Sequence, residues 1–451
     1  MSIALVILAA GKGTRMNSDL PKVLHPIAQA PMLEHAMAAG RALAPERTII
    51  VAGHGAEAVR AAVSEIDEEA EVVLQEEQLG TAHAVDQARA ALTGFEGDVI
   101  VLYGDTPFVS AETLELMVEA RQRADLVLLG FEAADPGRYG RLVMEGDSLE
   151  RIVEFKDASD AERAIRFCNS GLMAGKASAI FDLIAKVGNK NASGEYYLTD
   201  LVELARREGL KVTAVSCDEA ETLGVNSRAE LAQADALFQA RARAELLDLG
   251  VTMMAPETVY LAFDSVIGRD TVIEPNVVFG PGVTVESGAL IRSFSYMEDC
   301  HISRGAQVGP FARLRPGAEL AESTRIGNFV EIKNSKIAEG AKVNHLSYIG
   351  DAFVGEAANI GAGTITCNYD GVMKHRTEIG ARAFIGSNTM LVAPVRVGNE
   401  AMTATGAVVT RNVEDGDLAI GRAEQTNKPG RARKLMDMLR AKKARLQKGA
   451  K

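Results

Sequence analysis

The sequence predicts two domains, an α/β domain followed by a parallel β-helix, and three observations carry this prediction. Short β-branched runs alternate with amphipathic segments from residue 3 to about residue 225. Beyond that region an aliphatic residue recurs at almost every sixth position. The chain has 451 residues, more than one hydrophobic core usually organises.

In the first domain, strands are predicted at residues 3–8, 48–51, 71–75 and 98–102, and helices at 56–66, 82–92 and 111–124. Alternating strands and helices favour a mostly parallel sheet that is covered on both faces. Ligands of such sheets bind at the carboxyl ends of the strands. The residues that follow the strands are therefore the first place to look for chemistry.

The six-residue period defines the second domain. It falls on Val266, Val272, Val278, Thr284, Leu290, Tyr296, Ile302, Val308, Leu314, Leu320, Ile326 and Ile332. An α-helix repeats every 3.6 residues and a strand every 2, so the period predicts stacked coils whose units each form a short strand and a corner. One side chain per unit is expected to point inward. Glycine follows an inward residue in Ile267-Gly268, Val308-Gly309 and Ile326-Gly327, where positive φ would allow tight corners.

Composition excludes several classes of protein. The net charge of −12 argues against general nucleic-acid binding, although a local basic pocket can still take small anions. No apolar run reaches the roughly 18 residues of a spanning helix, and no basic segment precedes residues 3–8. The four cysteines are widely scattered, which favours free thiols over a disulfide framework. We therefore expect a cytoplasmic protein without membrane insertion.

The loop after the first strand has the composition of a phosphate site. Gly11 and Gly13 allow the backbone to approach a phosphate, and Arg15 and Lys22 supply positive charge. The loop matches neither the Walker A pattern nor Gly-x-Gly-x-x-Gly. A simple tight turn is the alternative interpretation of the two glycines alone. Asp105 follows the strand at 98–102, where a carboxylate suits Mg²⁺ or, alternatively, caps a turn.

Together these motifs resemble the sugar-1-phosphate nucleotidyltransferases. The resemblance rests on Gly11-x-Gly13-x-Arg15, Leu20-Pro21-Lys22, Gln78-Leu79-Gly80-Thr81-Ala82-His83, Gly104-Asp105, Tyr139-Gly140-Arg141, Glu154-Phe155-Lys156 and Gly194-Glu195-Tyr196-Tyr197. With the β-helix, residues 5–427 are similar to the bifunctional bacterial N-acetylglucosamine-1-phosphate uridyltransferase/glucosamine-1-phosphate acetyltransferases. That family implies a doubly wound, Rossmann-like first domain, a left-handed β-helix, and a homotrimer with acetyltransferase sites at subunit boundaries.

The resemblance implies the residues of a uridyltransferase site. It assigns the binding of UDP-N-acetylglucosamine to Leu8, Ala10, Gly11, Lys22, Gln75, Gly80, Thr81, Tyr103, Gly104, Asp105, Gly140, Glu154, Asn169 and Asn226. Arg15 and Lys22 would act in catalysis, and Asp105 and Asn226 would hold Mg²⁺. The implied reaction joins UTP and N-acetylglucosamine 1-phosphate with release of pyrophosphate.

The period of the β-helix breaks where polar residues gather. Five-residue steps precede Ile337 and Val354, and the pattern is lost from Thr366 to Thr377. A lone histidine here is often structural, but residues 344–348 resemble the family's acetyltransferase site. Since the ordinary pKa of imidazole lies near neutrality, His345 is predicted to be the general base, with Glu331 orienting its ring.

The resemblance also implies two sets of residues for the acetyltransferase substrates. Glucosamine 1-phosphate would contact Arg315, Lys333, Tyr348 and Asn359, and acetyl-CoA would contact Ala362, Asn368, Tyr369, Ser387, Thr405 and Arg422. Thr405 stands where alanine is expected, which makes its contact with the coenzyme a departure from the pattern. Direct acetyl transfer is predicted in preference to a covalent intermediate on Cys367.

The predicted organisation has four parts: a uridyltransferase domain at 1–226, a linker helix at 227–250, an acetyltransferase β-helix at 251–427 and a basic tail at 428–451. Ser227 and Glu230 form a capping-box pattern at the start of the linker helix. The tail is expected to be a solvated helix rather than a nucleic-acid or membrane contact. A single-activity nucleotidyltransferase with a β-helix for assembly or regulation, and a scaffold without activity, are the competing hypotheses.

Overall fold

The computed structural model describes residues 2–191 and 194–448, and these form two compact units. The first unit contains the chain up to Asp248 together with Tyr260–Ser265 and Phe279–Pro281. The second contains Leu249–Val259, Val266–Val278 and the chain from Gly282 onward. Residues 449–451 of the predicted basic tail lie outside the described residues.

A nine-stranded sheet forms the centre of the first unit. Its strands are Ile3–Ala9, Arg47–Ala52, Glu71–Leu74, Asp98–Tyr103, Leu126–Glu132, Arg141–Glu145, Ser148–Val153, Phe167–Lys176 and Val212–Cys217. Ile3–Ala9 lies between Asp98–Tyr103 and Arg47–Ala52, and is parallel to both. Phe167–Lys176 runs antiparallel to its two main neighbours. The predicted mostly parallel sheet is therefore confirmed, with one central strand reversed.

The central strand of this sheet is buried on both faces. Ala4, Val6 and Leu8 belong to one hydrophobic cluster, and their alternating neighbours belong to a second cluster on the other face. Such two-sided burial explains why the sequence of this strand is a continuous apolar run instead of an alternating one.

Helices cover both faces of the sheet and also form the linker and the tail. They are Met32–Arg41, Ala56–Ile66, Thr81–Asp86, Ala111–Ala120, Asp160–Arg163, Ala177–Ile184, Asp200–Arg207, Arg228–Asp248 and Arg431–Lys448. Short 3-10 turns occur at Thr14–Met16, Lys22–Leu24, Glu219–Thr222 and Pro256–Thr258, and Pro26–Ile27 pairs with Ala30–Pro31 in a small hairpin.

Two predicted helices end earlier than the sequence suggests. The helix predicted at 82–92 stops at Asp86, because the following amides of Gln87, Ala88 and Arg89 each bond a carbonyl three residues back. Hydrogen bonds of that spacing form tighter turns than an α-helix. The helix predicted at 111–124 likewise ends at Ala120.

The coils from Thr252 to Ala419 form three parallel sheets, which we call faces 1, 2 and 3. Face 1 contains Thr252–Met253, Val272–Ile273, Leu290–Ile291, Gln307–Val308, Arg325–Asn328, Lys342–His345, Asn359–Ile360, Phe384–Ile385, Met402–Thr403 and Leu418–Ala419. Face 2 contains Val278–Phe279, Tyr296–Met297, Arg313–Leu314, Glu331–Lys333, Tyr348–Gly350, Ile365–Cys367, Met390–Val392 and Val408–Val409. Face 3 contains Val266–Ile267, Val283–Val285, Cys300–Ile302, Ala318–Leu320, Ser335–Ile337, Ala352–Val354, Thr377–Ile379 and Val395–Val397.

The predicted inward row is wrong by one residue in its first half. Val266 is 59% exposed, whereas the next residue, Ile267, is buried, and the same shift holds as far as Tyr296 and Met297. From Ile302 onward the predicted row is the buried one. A five-residue step between Met297 and Ile302 corrects the register. The sequence conceals this step because apolar residues occur on both sides of most of the earlier strands.

The irregular steps share one corner of the coil. Met297 to Ile302, Ile332 to Ile337 and Ile349 to Val354 each lead from face 2 to face 3. The long insertion that ends at Thr377 lies at the same corner. Thr366 itself remains inward and buried, so the predicted loss of pattern begins after this residue. The two other corners keep their six-residue spacing.

The role predicted for the corner glycines is correct for Gly309, with φ of 95°, but wrong for Gly268 and Gly327. A Cβ on Gly268 would approach the amide nitrogen of Ser287 to 2.6 Å, and one on Gly327 would overlap with the backbone of Asn344. These two glycines are therefore required by close coil stacking. The left-handed corner positions are mostly taken by other residues, among them Asp270, Asn276, Asp299 and Asn334.

The predicted linker helix forms at Arg228–Asp248. Leu231, Leu237 and Phe238 pack on a cluster of the first unit that includes Met32 and Val225. Ser227 accepts a hydrogen bond from the Glu230 amide at 3.3 Å, as a cap should. The side chain of Glu230 instead accepts from the Asn226 amide at 2.7 Å, one residue before the expected position.

The tail forms the helix Arg431–Lys448, with Leu435, Met438, Leu439 and Leu446 all at least half exposed. Among residues 2–191 and 194–448, no helix is both long and apolar enough to cross a membrane.

Candidate active sites

A cavity of about 250 Å³ opens at the carboxyl end of the strand Ile3–Ala9. Nine of the fourteen residues predicted for UDP-N-acetylglucosamine line it: Leu8, Ala10, Gly11, Lys22, Gln75, Gly80, Thr81, Tyr103 and Asp105. Gln78 and Glu195 also line the cavity, although neither was predicted as a site residue. Gly104 donates its amide to the Leu8 carbonyl at 3.0 Å and so ties the ends of the two neighbouring strands together.

Three polar side chains from distant parts of the chain meet beside this cavity. The Nζ of Lys22 contacts the carboxylate of Asp105 and lies 3.1 Å from Oδ1 of Asn226. Asp105 follows the strand Asp98–Tyr103, and Asn226 precedes the helix Arg228–Asp248. Both oxygens therefore point at one position that a cationic group already occupies.

The donor set suits a hard cation that is shared with substrate. Mg²⁺ prefers oxygen ligands and commonly takes one or two from protein and the rest from phosphates and water. Asp105 and Asn226 supply one carboxylate and one amide oxygen at a common point. Among residues 2–191 and 194–448, no group of three or more His, Cys, Asp or Glu side chains could form a self-sufficient metal site.

Gly80 lies at the base of the cavity and has a backbone conformation that other residues avoid. Its φ is +118°, and a Cβ would lie 2.7 Å from the Tyr196 amide nitrogen and overlap with the Tyr196 carbonyl oxygen. The amide of Ala82 donates to that same carbonyl, and the Gln75 side chain donates to the Gly80 carbonyl at 3.2 Å. Close packing against Tyr196 thus fixes the start of the helix Thr81–Asp86.

Three other residues predicted for UDP-N-acetylglucosamine, which the resemblance assigns to its sugar, form a second group: Gly140, Glu154 and Asn169. The Asn169 amide donates to the Gly140 carbonyl at 2.9 Å, and the space above the Cα of Gly140 is bounded by a carboxylate oxygen of Glu154. Partial desolvation raises the pKa of Glu154, and the charges of Asp157 and Asp200 add to the effect. The side chain of Arg15 is exposed in the turn Thr14–Met16.

In the β-helix, four predicted residues form a column along face 1. The strand registers place His345, Ala362, Ser387 and Thr405 at the same position of successive coils. The backbone links them, since the amides of Gly363, Asn388 and Gly406 donate to the carbonyls of the first three members. Arg422 donates to the Thr405 carbonyl at 2.7 Å, which adds a fifth predicted residue to the column.

A network around Asp351 joins the two predicted substrate sets. Its carboxylate accepts hydrogen bonds from Asn334 at 2.7 Å and from Asn368, and it lies 3.8 Å from Nζ of Lys333. Asn368 also donates to the Tyr348 hydroxyl at 3.4 Å. Burial opposes ionisation of Asp351, but the hydrogen bonds and the charge of Lys333 outweigh it and lower the pKa. The sequence did not single out Asp351, because only the coil register brings it to these partners.

The remaining predicted residues lie around this network. Arg315 binds Glu331 at 2.8 Å on face 2. Asn359 lies on face 1 in register with Lys342, on the strand next to that of His345. Tyr369 is 61% exposed in the insertion at the face 2 to face 3 corner.

The predicted partner of His345 is wrong. Glu331 accepts a hydrogen bond from Arg315, while the Nδ1 of His345 lies 2.7 Å from Oδ1 of Asn328. Asn328 and His345 are direct register partners on face 1, a relation that depends on coil length. Cys367, like the other three cysteines, is a free thiol, and burial raises its pKa, which disfavours the thiolate that an acyl carrier would need.

Two protein-family models match this chain, one in each unit. The family model for the MobA-like NTP transferase domain matches residues 5–170, and the model for the bacterial transferase hexapeptide matches residues 264–298. With that match, the second unit is a left-handed parallel β-helix of hexapeptide repeats. A solved apo UDP-glucose pyrophosphorylase covers 54% of this chain and 100% of its own at 18% identity, with a TM-score of 0.44.

Curated relatives match along the whole length. The chain is 81% identical to the bifunctional protein GlmU of Ruegeria sp. strain TM1040, covering 100% of both chains. It is 78% identical to the bifunctional protein GlmU of Ruegeria pomeroyi strain DSS-3, over 99% of this chain and 100% of the relative. The chain therefore belongs to the GlmU family of bifunctional enzymes, which combine a uridyltransferase and an acetyltransferase activity.

Proposed function

We propose that the two activities are divided between the nucleotide cavity and the face 1 column. Acetyl-CoA first acetylates glucosamine 1-phosphate at the β-helix, and UTP then uridylylates N-acetylglucosamine 1-phosphate in the first unit. The observation that carries this proposal is spatial. Nine residues predicted for UDP-N-acetylglucosamine line one cavity, and three residues predicted for acetyl-CoA align with His345 along the coils.

In the first unit, a phosphate oxygen of N-acetylglucosamine 1-phosphate attacks the α-phosphorus of UTP in line. The P–O bond to the leaving pyrophosphate breaks as the new P–O bond forms. Lys22 neutralises charge on the phosphates, and Arg15 contacts the leaving pyrophosphate. Gly140, Glu154 and Asn169 hold the sugar, so the reaction gains mainly from orientation. No covalent enzyme intermediate is needed.

Asp105 and Asn226 are the residues that would hold Mg²⁺ in this site. When bound there with the nucleotide, Mg²⁺ supplies positive charge to the phosphate oxygens. Lys22 contacts both residues. When Mg²⁺ takes this position, the ammonium of Lys22 would turn from them to the phosphates of UTP. Glu230 fixes the backbone of Asn226 and thereby its place at the mouth of the linker helix.

In the β-helix, the Nε2 of His345 takes a proton from the amine of glucosamine 1-phosphate as the amine attacks the thioester carbonyl. The new C–N bond forms, the C–S bond breaks, and the proton returns to the leaving CoA thiolate. Arg315, Lys333, Tyr348 and Asn359 hold the sugar phosphate. Ala362, Asn368, Tyr369, Ser387, Thr405 and Arg422 lie along acetyl-CoA.

We propose boundaries at 1–226, 227–250, 251–427 and 428–451 for the four parts of the chain. We further propose a cytoplasmic location, in keeping with four free thiols. The homotrimer that the family resemblance implies is also part of this proposal.

Two assays on one preparation test the division of labour. CoA release is measured with glucosamine 1-phosphate and acetyl-CoA, and pyrophosphate release with UTP and N-acetylglucosamine 1-phosphate. Both activities are expected. Pyrophosphate release without CoA release would instead support the single-activity nucleotidyltransferase.

A further inference from the structure

We propose that Asn328 is the positioning residue of the acetyltransferase site, fixing the tautomer and the ring orientation of His345. The inference rests on the proposed role of His345 as the base. It starts from one contact, the 2.7 Å separation between Nδ1 of His345 and Oδ1 of Asn328. The two residues belong to successive coils and are paired in register, so the backbone holds them opposite each other.

The chemistry of the amide decides which ring nitrogen is free. An amide oxygen can only accept a hydrogen bond, so Nδ1 of His345 must carry the proton that it donates. In the neutral ring, the lone pair then lies on Nε2, the nitrogen assigned to take the proton from the amine. Without this acceptor, both tautomers of the ring are open to His345, and the ring can also turn.

Among residues 2–191 and 194–448, Asn328 is the side chain that bonds the His345 ring, and the ring forms no ion pair. Glu331 is bound to Arg315 at 2.8 Å. In the following coil, the position aligned with His345 is Ala362. The charged residues on the packed strands are Arg325 and Lys342, at the opposite strand ends, and Asn359–Ile360 carries none.

An asparagine in this role has a different consequence from a carboxylate. A carboxylate would favour the protonated ring by direct charge attraction, so that a larger share of the enzyme would carry a proton already. The neutral amide of Asn328 orients the ring without placing a charge beside it.

The test uses the full-length enzyme with labelled histidine and compares Asn328→Ala, Asn328→Asp and Lys342→Ala. Nitrogen NMR reports the tautomer of His345, whose signal is assigned by its loss in His345→Ala. We expect the Nδ1–H form in the wild type and a mixture in Asn328→Ala, with kcat for acetyl transfer lowered about ten-fold, less than the ~10²-fold or greater loss of the base itself.

In Asn328→Asp, the acid limb of the acetyl-transfer pH profile should move about one pH unit upward, because the carboxylate favours the protonated ring. Lys342→Ala removes an exposed charge from the strand of His345 and should change neither readout. Pyrophosphate release by the first unit should be unchanged in all three variants, which verifies that each protein is folded.

The outcomes separate this inference from the proposed base. If His345→Ala retains acetyl transfer, the assignment of His345 as the general base is wrong. If His345→Ala is inactive but Asn328→Ala keeps the wild-type tautomer and kcat, the positioning role is wrong. An unmoved pH profile in Asn328→Asp would likewise contradict the contact.

Discussion

Lys22 and Asn226 are 204 positions apart in the chain, yet the Nζ of Lys22 lies 3.1 Å from Oδ1 of Asn226. The same nitrogen contacts the carboxylate of Asp105. One residue comes from the first loop, one from the end of a central strand and one from the start of the linker helix. Their meeting point beside the cavity is the place at which we propose that uridyl transfer occurs.

Asp105→Ala should reduce pyrophosphate release by at least ~100-fold and leave CoA release near the wild-type rate, because it removes the one carboxylate of the oxygen pair. His345→Ala should do the reverse by removing the base. Both rates are measured on each variant. Loss of the same activity in both variants would contradict the assignment of two separate sites.

Gly80→Ala should lower uridyltransferase kcat/KM by about ten-fold or more. An alanine would have to adopt a φ of +118° and push its Cβ into the backbone of Tyr196, which displaces the floor of the cavity. Gly188→Ala is the matched control, since nothing lies within 4 Å of its added Cβ. Steady-state kinetics with varied UTP compare the two, and equal effects would refute the geometric argument.

Glu230→Ala should weaken the binding of Mg²⁺ at the first site, because Asn226 would no longer be held in place. The variant loses the 2.7 Å hydrogen bond to the Asn226 amide, so the Mg²⁺ concentration for half-maximal uridyl transfer should rise several-fold. Ser227→Ala removes the helix cap without touching Asn226 and should cost only about 1 kcal/mol of stability. A similar Mg²⁺ shift in both variants would assign the effect to the helix start alone.

Asp351→Ala should raise KM for both substrates of acetyl transfer with a smaller effect on kcat. The carboxylate holds Asn334 and Asn368 and lies near Lys333, so its loss releases residues assigned to the sugar phosphate and to acetyl-CoA. Glu319→Ala is the control, because it removes a nearby carboxylate whose partner is the exposed Lys336. An effect on only one KM would show that Asp351 does not link the two sets.

The insertion at the face 2 to face 3 corner should respond to acid through Asp370. Hydrogen bonds from His375 and from the amides of Met373 and Val372 lower the pKa of Asp370 to about 2, below its ordinary value near 4. The ionised carboxylate therefore stabilises the loop above pH ~4, and this contribution is lost as pH falls towards 2.

Carbon NMR of the Asp370 carboxyl group measures this midpoint directly. His375→Ala removes the largest cause of the shift and should move the midpoint upward. A wild-type midpoint near the ordinary aspartate value would show that the loop lacks these hydrogen bonds in solution.

Local patterns in the sequence determined the two domain types and the first strand, and they supplied the candidate residues of both sites. The apolar run at Ile3–Ala9 is long enough to specify a buried strand, and Gly80, Lys22 and Asp105 belong to motifs with a family resemblance. Six-residue spacing likewise specified the coils, because one inward aliphatic residue per unit is a property of neighbouring positions.

Only the tertiary structure decided the register of the early coils and the partners of the site residues. A single five-residue step between Met297 and Ile302 reverses which side of each earlier strand is buried, and apolar residues on both sides conceal it. The pairing of His345 with Asn328 depends on the length of a whole coil. The contact of Lys22 with Asn226 depends on how the 204 positions between them fold. Distances of that kind arise when the chain closes on itself, so they are absent from any local pattern of residues.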